Sequence, residues 1–325
     1  MAVSNGTIDN TSLTAWEAPG ASSFVEELRL LPASLGILGA TLVMIALSAN
    51  SSDKVKSSVD TLHINMALAD FLDSLNYPLN LSIHSLMRML QIAMTPTLCI
   101  AEVSFSQVFS SASLLSTAFL SVDRYRAIKR GATIPTNGFA HRVIVCFTVL
   151  SYIVPSLVFL LPTVLPSEMS SLKQLDALCG YRKAFEICDL LCLLLNVLSL
   201  SVTVGVTLST RLILKQKLLL PRTAATLLSD ALVKEELRLH ILLILQACVS
   251  LPAVATDFLR VSHLVIFSNE MIIEPGLMFI YEFESALNAV LVFGLLPKIR
   301  THLRTALRFR TTTNRVTYID STDEL

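Results

Sequence analysis

Residues 190–208 read Leu-Leu-Cys-Leu-Leu-Leu-Asn-Val-Leu-Ser-Leu-Ser-Val-Thr-Val-Gly-Val-Thr-Leu, without one charged side chain. A helix needs about 20 predominantly apolar residues to cross the hydrocarbon core of a bilayer. Other stretches of the chain have a similar length and character, and together they predict seven membrane-spanning helices. The predicted helices run near 28–50, 61–86, 99–123, 142–165, 185–210, 239–262 and 273–296.

The composition agrees with a membrane protein. Of the 325 residues, 53% are hydrophobic and 15% are charged, whereas soluble proteins carry about 25% charged residues. Seven helices with short loops use nearly the whole chain, so we expect one transmembrane domain over 28–296 after a polar tail over 1–27. The net charge of zero argues against a nucleic-acid partner.

The distribution of basic residues predicts the orientation. With the N-terminus outside, the inner segments are 51–60, 124–141, 211–238 and 297–325. Together with Arg142 at the edge of the fourth helix, they carry 19 of the 25 Lys and Arg residues. Basic residues are retained on the cytoplasmic side. We therefore expect a multi-pass plasma-membrane protein with an extracellular N-terminus.

Two features of the outer side fit this orientation. Asn5 and Asn10 begin glycosylation sequons in the N-terminal tail. Cys99 starts the third helix and Cys179 lies in the outer loop after the fourth. Both cysteines would face the oxidising side, where a disulfide is permitted; the alternative is two unpaired thiols.

Short motifs at matching depths resemble a receptor family. Residues 121–125, Ser-Val-Asp-Arg-Tyr, resemble the Asp-Arg-Tyr signature of rhodopsin-like (class A) G-protein-coupled receptors. Residues 65–70, Asn-Met-Ala-Leu-Ala-Asp, are similar to the Asn-Leu-Ala-x-Ala-Asp motif of their second helix. Residues 285–288, Ser-Ala-Leu-Asn, resemble the approach to their Asn-Pro-x-x-Tyr motif. Cys99 lies 24 residues before Asp123, as the disulfide cysteine does in that family.

The resemblance implies a fold and a signalling surface. The expected fold is an all-α membrane protein, a seven-transmembrane helix bundle with a short amphipathic eighth helix over 297–310 and a cytoplasmic tail over 311–325. Asp123, Arg124 and Tyr125 would couple to a heterotrimeric G protein, with Arg124 as the contacting or gating residue. The alternative reading of Arg124 is an ordinary basic residue at the membrane edge.

The resemblance also implies a cation site, because an ionisable group at mid-membrane depth indicates function. Asp70, Ser113 and Asn288 match the positions that hold a sodium ion in the family. Glu284 adds a second carboxylate, so either a cation binds more strongly or one carboxyl is protonated. The alternative is a structural polar cluster without an ion. No other cofactor is expected.

A ligand pocket is implied at the outer half of the bundle. Its matching positions are Ser106, Gln107, Ser110, Ala253, Val254, Asp257, Met278 and Glu282. Ser106 replaces the Asp of amine receptors, and Glu282 replaces the Schiff-base Lys of opsins. The acidic residues Asp257, Glu270 and Glu274 are interpreted as solvated charges at the rim, whereas Glu282 is expected to face the bundle. A cationic group on the ligand is the competing interpretation.

The departures from the family pattern leave other functions open. The sixth helix keeps Pro252 but has Ser250 in place of Trp, and the seventh helix lacks the Pro and Tyr that follow Asn288 in the family. A ligand-activated receptor for a small molecule or peptide, including a chemosensory (odorant-like) one, is the first hypothesis. A constitutively active or non-signalling decoy is the second, and an ion-coupled transporter is the third. No enzyme motif is present, and the Ser/Thr-rich tail is a candidate phosphorylation site for arrestin recruitment.

Overall fold

The computed structural model describes residues 21–49, 58–92, 96–130, 138–164, 186–219, 227–261 and 270–307. Within these ranges the backbone forms eight helices and no strand. They are α1 (Ala21–Ala49), α2 (Ser58–Met89), α3 (Pro96–Arg130), α4 (Gly138–Val164), α5 (Glu186–Leu219), α6 (Leu227–Val261), α7 (Glu270–Leu295) and α8 (297–307). The core of each predicted apolar stretch lies in one of the first seven helices, and the expected all-α fold is confirmed.

Several helices extend well beyond the apolar stretches that predicted them, as α3 and α6 illustrate. The structure continues α3 to Arg130, past the predicted end at residue 123, and it begins α6 at Leu227 instead of residue 239. A helix satisfies its backbone hydrogen bonds internally, so polar residues can carry it out of the hydrocarbon core into water. The Asp123–Tyr125 segment therefore lies within α3, not at its end.

The helices differ in how well they suit lipid. By length and composition, four segments of the described chain could each cross a membrane: Leu28–Ser48, Phe105–Lys129, Leu190–Gln216 and Lys234–Phe258. The described parts of α4 and α7 contribute shorter apolar segments. The α2 helix is long enough, but it is not apolar enough, because polar residues such as Asp60, Asp70 and Asp73 interrupt it. Much of its polar surface is shielded by packing against α1 and α3.

The first seven helices close into a ring. The α1 helix packs against α2 and α7, and the sequence of contacts continues through α2–α3, α3–α5, α5–α6 and α6–α7, with α4 against α3. Small residues bring α1 close to its neighbours. A Cβ at Gly36 would overlap the Ser74 side chain on α2, and one at Gly39 would overlap the Cβ of Ala289 on α7. Such close helix contacts are typical of membrane bundles.

An apolar cluster fills the end of the bundle where α3 ends and α6 begins. Its buried members come from α1, α2, α3, α4, α6, α7 and α8: Ala40, Val43, Ala46, Leu47, Leu62, Met66, Ala67, Leu120, Ile144, Leu239, Leu242, Leu243, Val292 and Ile299. The α8 helix is attached through Ile299 and the half-buried Leu303. This end of the bundle is the one that the basic residues predict to be cytoplasmic.

Candidate functional site

Arg124 is held by two carboxylates at the predicted cytoplasmic end. Its Nη2 lies 2.5 Å from Oδ2 of Asp123, and its Nη1 lies 3.3 Å from Oε1 of Glu236 on α6. The Arg124 side chain is 11% exposed, and a cation that is so little hydrated needs anionic partners. The pair with Asp123 joins two neighbouring residues of α3. The pair with Glu236 ties α3 to α6, and we call Asp123, Arg124 and Glu236 the Arg124 cluster.

The sequence prediction missed Glu236, which lies 112 residues from Arg124 along the chain. Only a weak sequence pattern indicates that Glu236 faces the bundle, namely that it shares one helical face with Leu239 and Leu243, which are both buried. Tyr125, the third predicted coupling residue, is not part of the Arg124 cluster and contacts Lys129 one turn later on α3. The Lys129 Nζ lies 5.7 Å from the centre of the Tyr125 ring.

The four residues of the predicted sodium site lie at the middle of the bundle. Asp70 is 4% exposed, and its two oxygens accept hydrogen bonds from Ser113 Oγ at 2.6 Å and Asn288 Nδ2 at 3.4 Å. The Oδ1 atom of Asn288 is buried and has no hydrogen-bond partner in the structure. These contacts join α2, α3 and α7 around one carboxylate.

Glu284 belongs to the same region. It is buried, and its Oε1 accepts a hydrogen bond from Ser250 on α6. The serine at position 250, where the family pattern has tryptophan, thus binds Glu284 through its hydroxyl group. Asp70 interacts electrostatically with Glu284, as do Asp73 and Asp257. We call Asp70, Asp73, Asp257 and Glu284 the acidic region.

Asp73 and Asp257 extend the acidic region toward the opposite end of the bundle. Ser106 Oγ donates to Asp73 Oδ1 at 2.9 Å, and Asn196 Nδ2 donates to Asp257 Oδ2 at 3.2 Å. The sequence prediction did not single out Asp73 or Asn196. Both had a detectable signal, since Asp73 follows Asp70 by one helical turn and Asn196 interrupts the apolar stretch 190–208.

The interpretation of Asp257 as a solvated rim charge is wrong. Its side chain is only 6% exposed and faces α5, because α6 turns this residue toward Asn196 and not toward the open end. Other predicted ligand positions are also inside the bundle. Gln107, Ser110, Ala253 and Val254 are buried, and Ser106 is partly buried. The Oε1 atom of Gln107 has no hydrogen-bond partner.

Several predicted site residues lie outside the part of the chain that the structure describes. They are the residues Asn5, Asn10 and Cys179. The side chains of Cys99, Glu270, Glu274, Met278 and Glu282 are likewise outside the described part. Nothing in the structure therefore tests the disulfide, the sequons or the inward orientation of Glu282.

The described residues include no group of three or more His, Cys, Asp or Glu side chains placed to hold a metal ion. A cation near Asp70 would instead depend on the carboxylates of Asp70 and Glu284 together with neutral oxygens. The Oγ atom of Ser113 and the unpartnered Oδ1 of Asn288 are suited to this, since hard cations prefer oxygen ligands.

Comparison with known proteins identifies the class. The family of seven-transmembrane receptors of the rhodopsin type matches residues 39–281, which is most of the chain. The protein belongs to this family, so its fold is a seven-transmembrane bundle and it is a multi-pass membrane receptor of the G-protein-coupled type. A search of curated proteins finds no match.

Proposed function

We propose that this protein is a ligand-activated receptor that transmits an extracellular signal to a heterotrimeric G protein. The observation that carries the proposal is the Arg124 cluster, because its contact with Glu236 ties α6 to α3 at the predicted cytoplasmic end. While that contact holds, the two helices stay together. A ligand that binds more tightly to the separated arrangement shifts the population toward it.

Pro252 supports a movement of α6. It lies inside α6, between Glu236 near one end and Asp257 near the other. Proline removes one backbone hydrogen bond and is the usual cause of a helix bend. A ligand that contacts Asp257 can therefore displace the half of α6 that carries Glu236.

Nucleotide exchange on purified heterotrimeric G proteins tests the proposal. Glu236→Gln removes the ion pair to Arg124 but keeps the size of the side chain, so we expect ligand-independent exchange to rise several-fold. Arg124→Ala removes the residue expected to engage the G protein, and exchange should fall to background at matched surface expression.

Lys298→Met is the matched control. It removes the ion pair of Lys298 with Asp60, 3.2 Å long, which joins α8 to α2 at the same end without touching α6. Exchange should stay at the wild-type level. If Glu236→Gln gives no exchange with any G-protein class, the protein does not signal in the proposed way, and the decoy hypothesis gains.

The outer half of the bundle is the proposed ligand site. Ser106, Gln107, Ser110, Ala253, Val254, Asp257, Met278 and Glu282 are its proposed lining. The burial of Asp257 favours a ligand with a cationic group, since a buried carboxylate stabilises a complementary charge. Both a small molecule, as in a chemosensory receptor, and a peptide remain candidates for that ligand.

We further propose a sodium ion bound by Asp70, Ser113, Glu284 and Asn288. Two buried carboxylates that interact electrostatically are stabilised by a cation between them, and the unpartnered Oδ1 of Asn288 supplies a neutral ligand. Asp70 and Glu284, together with Glu282, are the basis of the transporter hypothesis, which predicts ion flux in liposomes that a receptor would not produce.

The cellular setting is proposed on the sequence. The protein is expected in the plasma membrane with an extracellular, glycosylated N-terminus and a Cys99–Cys179 disulfide. Arrestin is a proposed partner of the phosphorylated tail. Loss of the mobility shift after deglycosylation in a double Asn5→Gln, Asn10→Gln variant would support the outward orientation.

A further inference from the structure

His63 is a buried histidine that the proposed function does not use. It lies on α2 and is 1% exposed. Its Nδ1 is 2.8 Å from the carbonyl oxygen of Val59, one turn earlier. A carbonyl can only accept, so Nδ1 carries the proton in this bond, and Nε2 of the neutral ring is an acceptor.

The Nε2 atom of His63 has no hydrogen-bond partner in the structure. Most buried polar atoms in proteins are hydrogen-bonded, and an acceptor that is removed from water without a donor destabilises the conformation that contains it. The conformation with Arg124 on Glu236 therefore leaves one acceptor unsatisfied at the predicted cytoplasmic end.

Two cationic side chains lie close enough to the His63 ring to interact with it electrostatically, Arg124 and Lys298. The two differ in what holds them. Lys298 contacts both oxygens of Asp60, on the same helix as His63. Arg124 is bound partly by Glu236, which lies on the helix that is proposed to move.

We propose that His63 Nε2 accepts a hydrogen bond from the Arg124 guanidinium once α6 has moved and Glu236 has left. The inference rests on the proposed function. His63 is then a positioning residue, because it acts by holding Arg124 in the open arrangement. Each arrangement has its own acceptor for Arg124, Glu236 in the closed state and His63 in the open one. Such a pair of alternatives makes a two-state element.

The test uses a matched pair of substitutions in the Glu236→Gln background, His63→Gln and His63→Met. The two side chains have nearly the same length, but only glutamine offers an acceptor. Labels on non-natural amino acids at the exposed positions Arg126 and Arg238 report the distance between α3 and α6 in the purified full-length receptor. This measurement needs no G protein.

We expect the Glu236→Gln receptor to contain an open population with a longer distance. His63→Met should reduce that population about tenfold, the effect of one hydrogen bond to a charged group. His63→Gln should retain most of it. In the otherwise wild-type receptor, His63→Met should lower the melting temperature no more than loss of the Nδ1 hydrogen bond to Val59 requires, a shift of a few degrees, because the closed state makes no use of Nε2.

Three results would overturn the inference. One is an open population that is the same in the Gln and Met variants. Another is an equal loss in both, which would assign His63 a purely structural role. The third is the absence of any open population in Glu236→Gln, because Arg124 would then need no second acceptor. A His63-dependent opening without nucleotide exchange would leave the inference standing and contradict the proposed G-protein function.

Discussion

The Arg124 cluster and the acidic region hold their ionisable side chains by different kinds of contact. At the predicted cytoplasmic end, the positive charge of Arg124 is paired with the carboxylates of Asp123 and Glu236 within the protein. In the middle and outer parts of the bundle, the hydrogen bonds described above come to the four carboxylates from hydroxyl and amide groups. These donors are neutral, so they orient the carboxyl groups without supplying a positive charge.

The difference indicates how the two regions respond to outside partners. An ion-pair cluster changes state when one of its members moves, so it suits a conformational switch. A region that gathers four carboxyl groups changes state when a cation binds, since the cation stabilises the arrangement that holds it. The acidic region therefore suits the reception of a signal, and the Arg124 cluster suits its release.

The largest expected effect comes from the close packing of α1 against α7 next to the acidic region. Ala289 follows Asn288, which donates a hydrogen bond to Asp70, and the Cβ of Ala289 lies against Gly39 on α1. Gly39→Ala would place one Cβ on another that cannot rotate away, and we expect a loss of about 3 kcal/mol from overpacking. The melting temperature of the detergent-solubilised receptor measures it.

Gly205→Ala is the control for that substitution, because no atom lies within 4 Å of the position where its Cβ would be. It should melt no lower than the wild type, because alanine is favoured over glycine inside a helix. Equal melting of the Gly39 and Gly205 variants would show that the close approach of α1 to α7 does not limit the size of residue 39.

A smaller effect is expected from cation binding in the acidic region. Replacing choline chloride by sodium chloride should stabilise the wild type by about 2 kcal/mol, as a ligand does at some tens of times its dissociation constant. Asp70→Asn should lose this response, because it removes the charged ligand but keeps the size of the side chain. A wild type that melts identically in both salts, or a variant that still responds to sodium, would exclude the proposed site.

The smallest effect is expected for the ion pair between α8 and α2 at the predicted cytoplasmic end. The Lys298 side chain is 44% exposed where it meets Asp60, so water and salt screen the pair. Lys298→Met should cost less than about 1 kcal/mol, and the difference from wild type should vanish at high salt. A larger, salt-independent loss would mean that α8 is held by this ion pair more than by Ile299 and Leu303.

Much of the fold was available from local patterns. Stretches such as 190–208 predict helices because lipid leaves no other partner for the backbone. Motifs such as 121–125 are contiguous, so they carry a family resemblance without any knowledge of packing. The ends of the helices were harder to predict from the sequence, as α6 illustrates, because a helix can continue on polar residues once it has left the bilayer.

The partners of the polar side chains needed the tertiary structure. Whether Asp257 lies at the rim or against Asn196 depends on the rotation of α6 about its axis, which packing with α5 and α7 sets. The link between Arg124 and Glu236 joins residues far apart in the chain, and no local pattern specifies it. By itself, the sequence determined a seven-helix membrane receptor with acidic residues in its interior. The tertiary structure decided which donor meets each carboxylate, because hydrogen bonds and ion pairs depend on distances that only the assembled bundle defines.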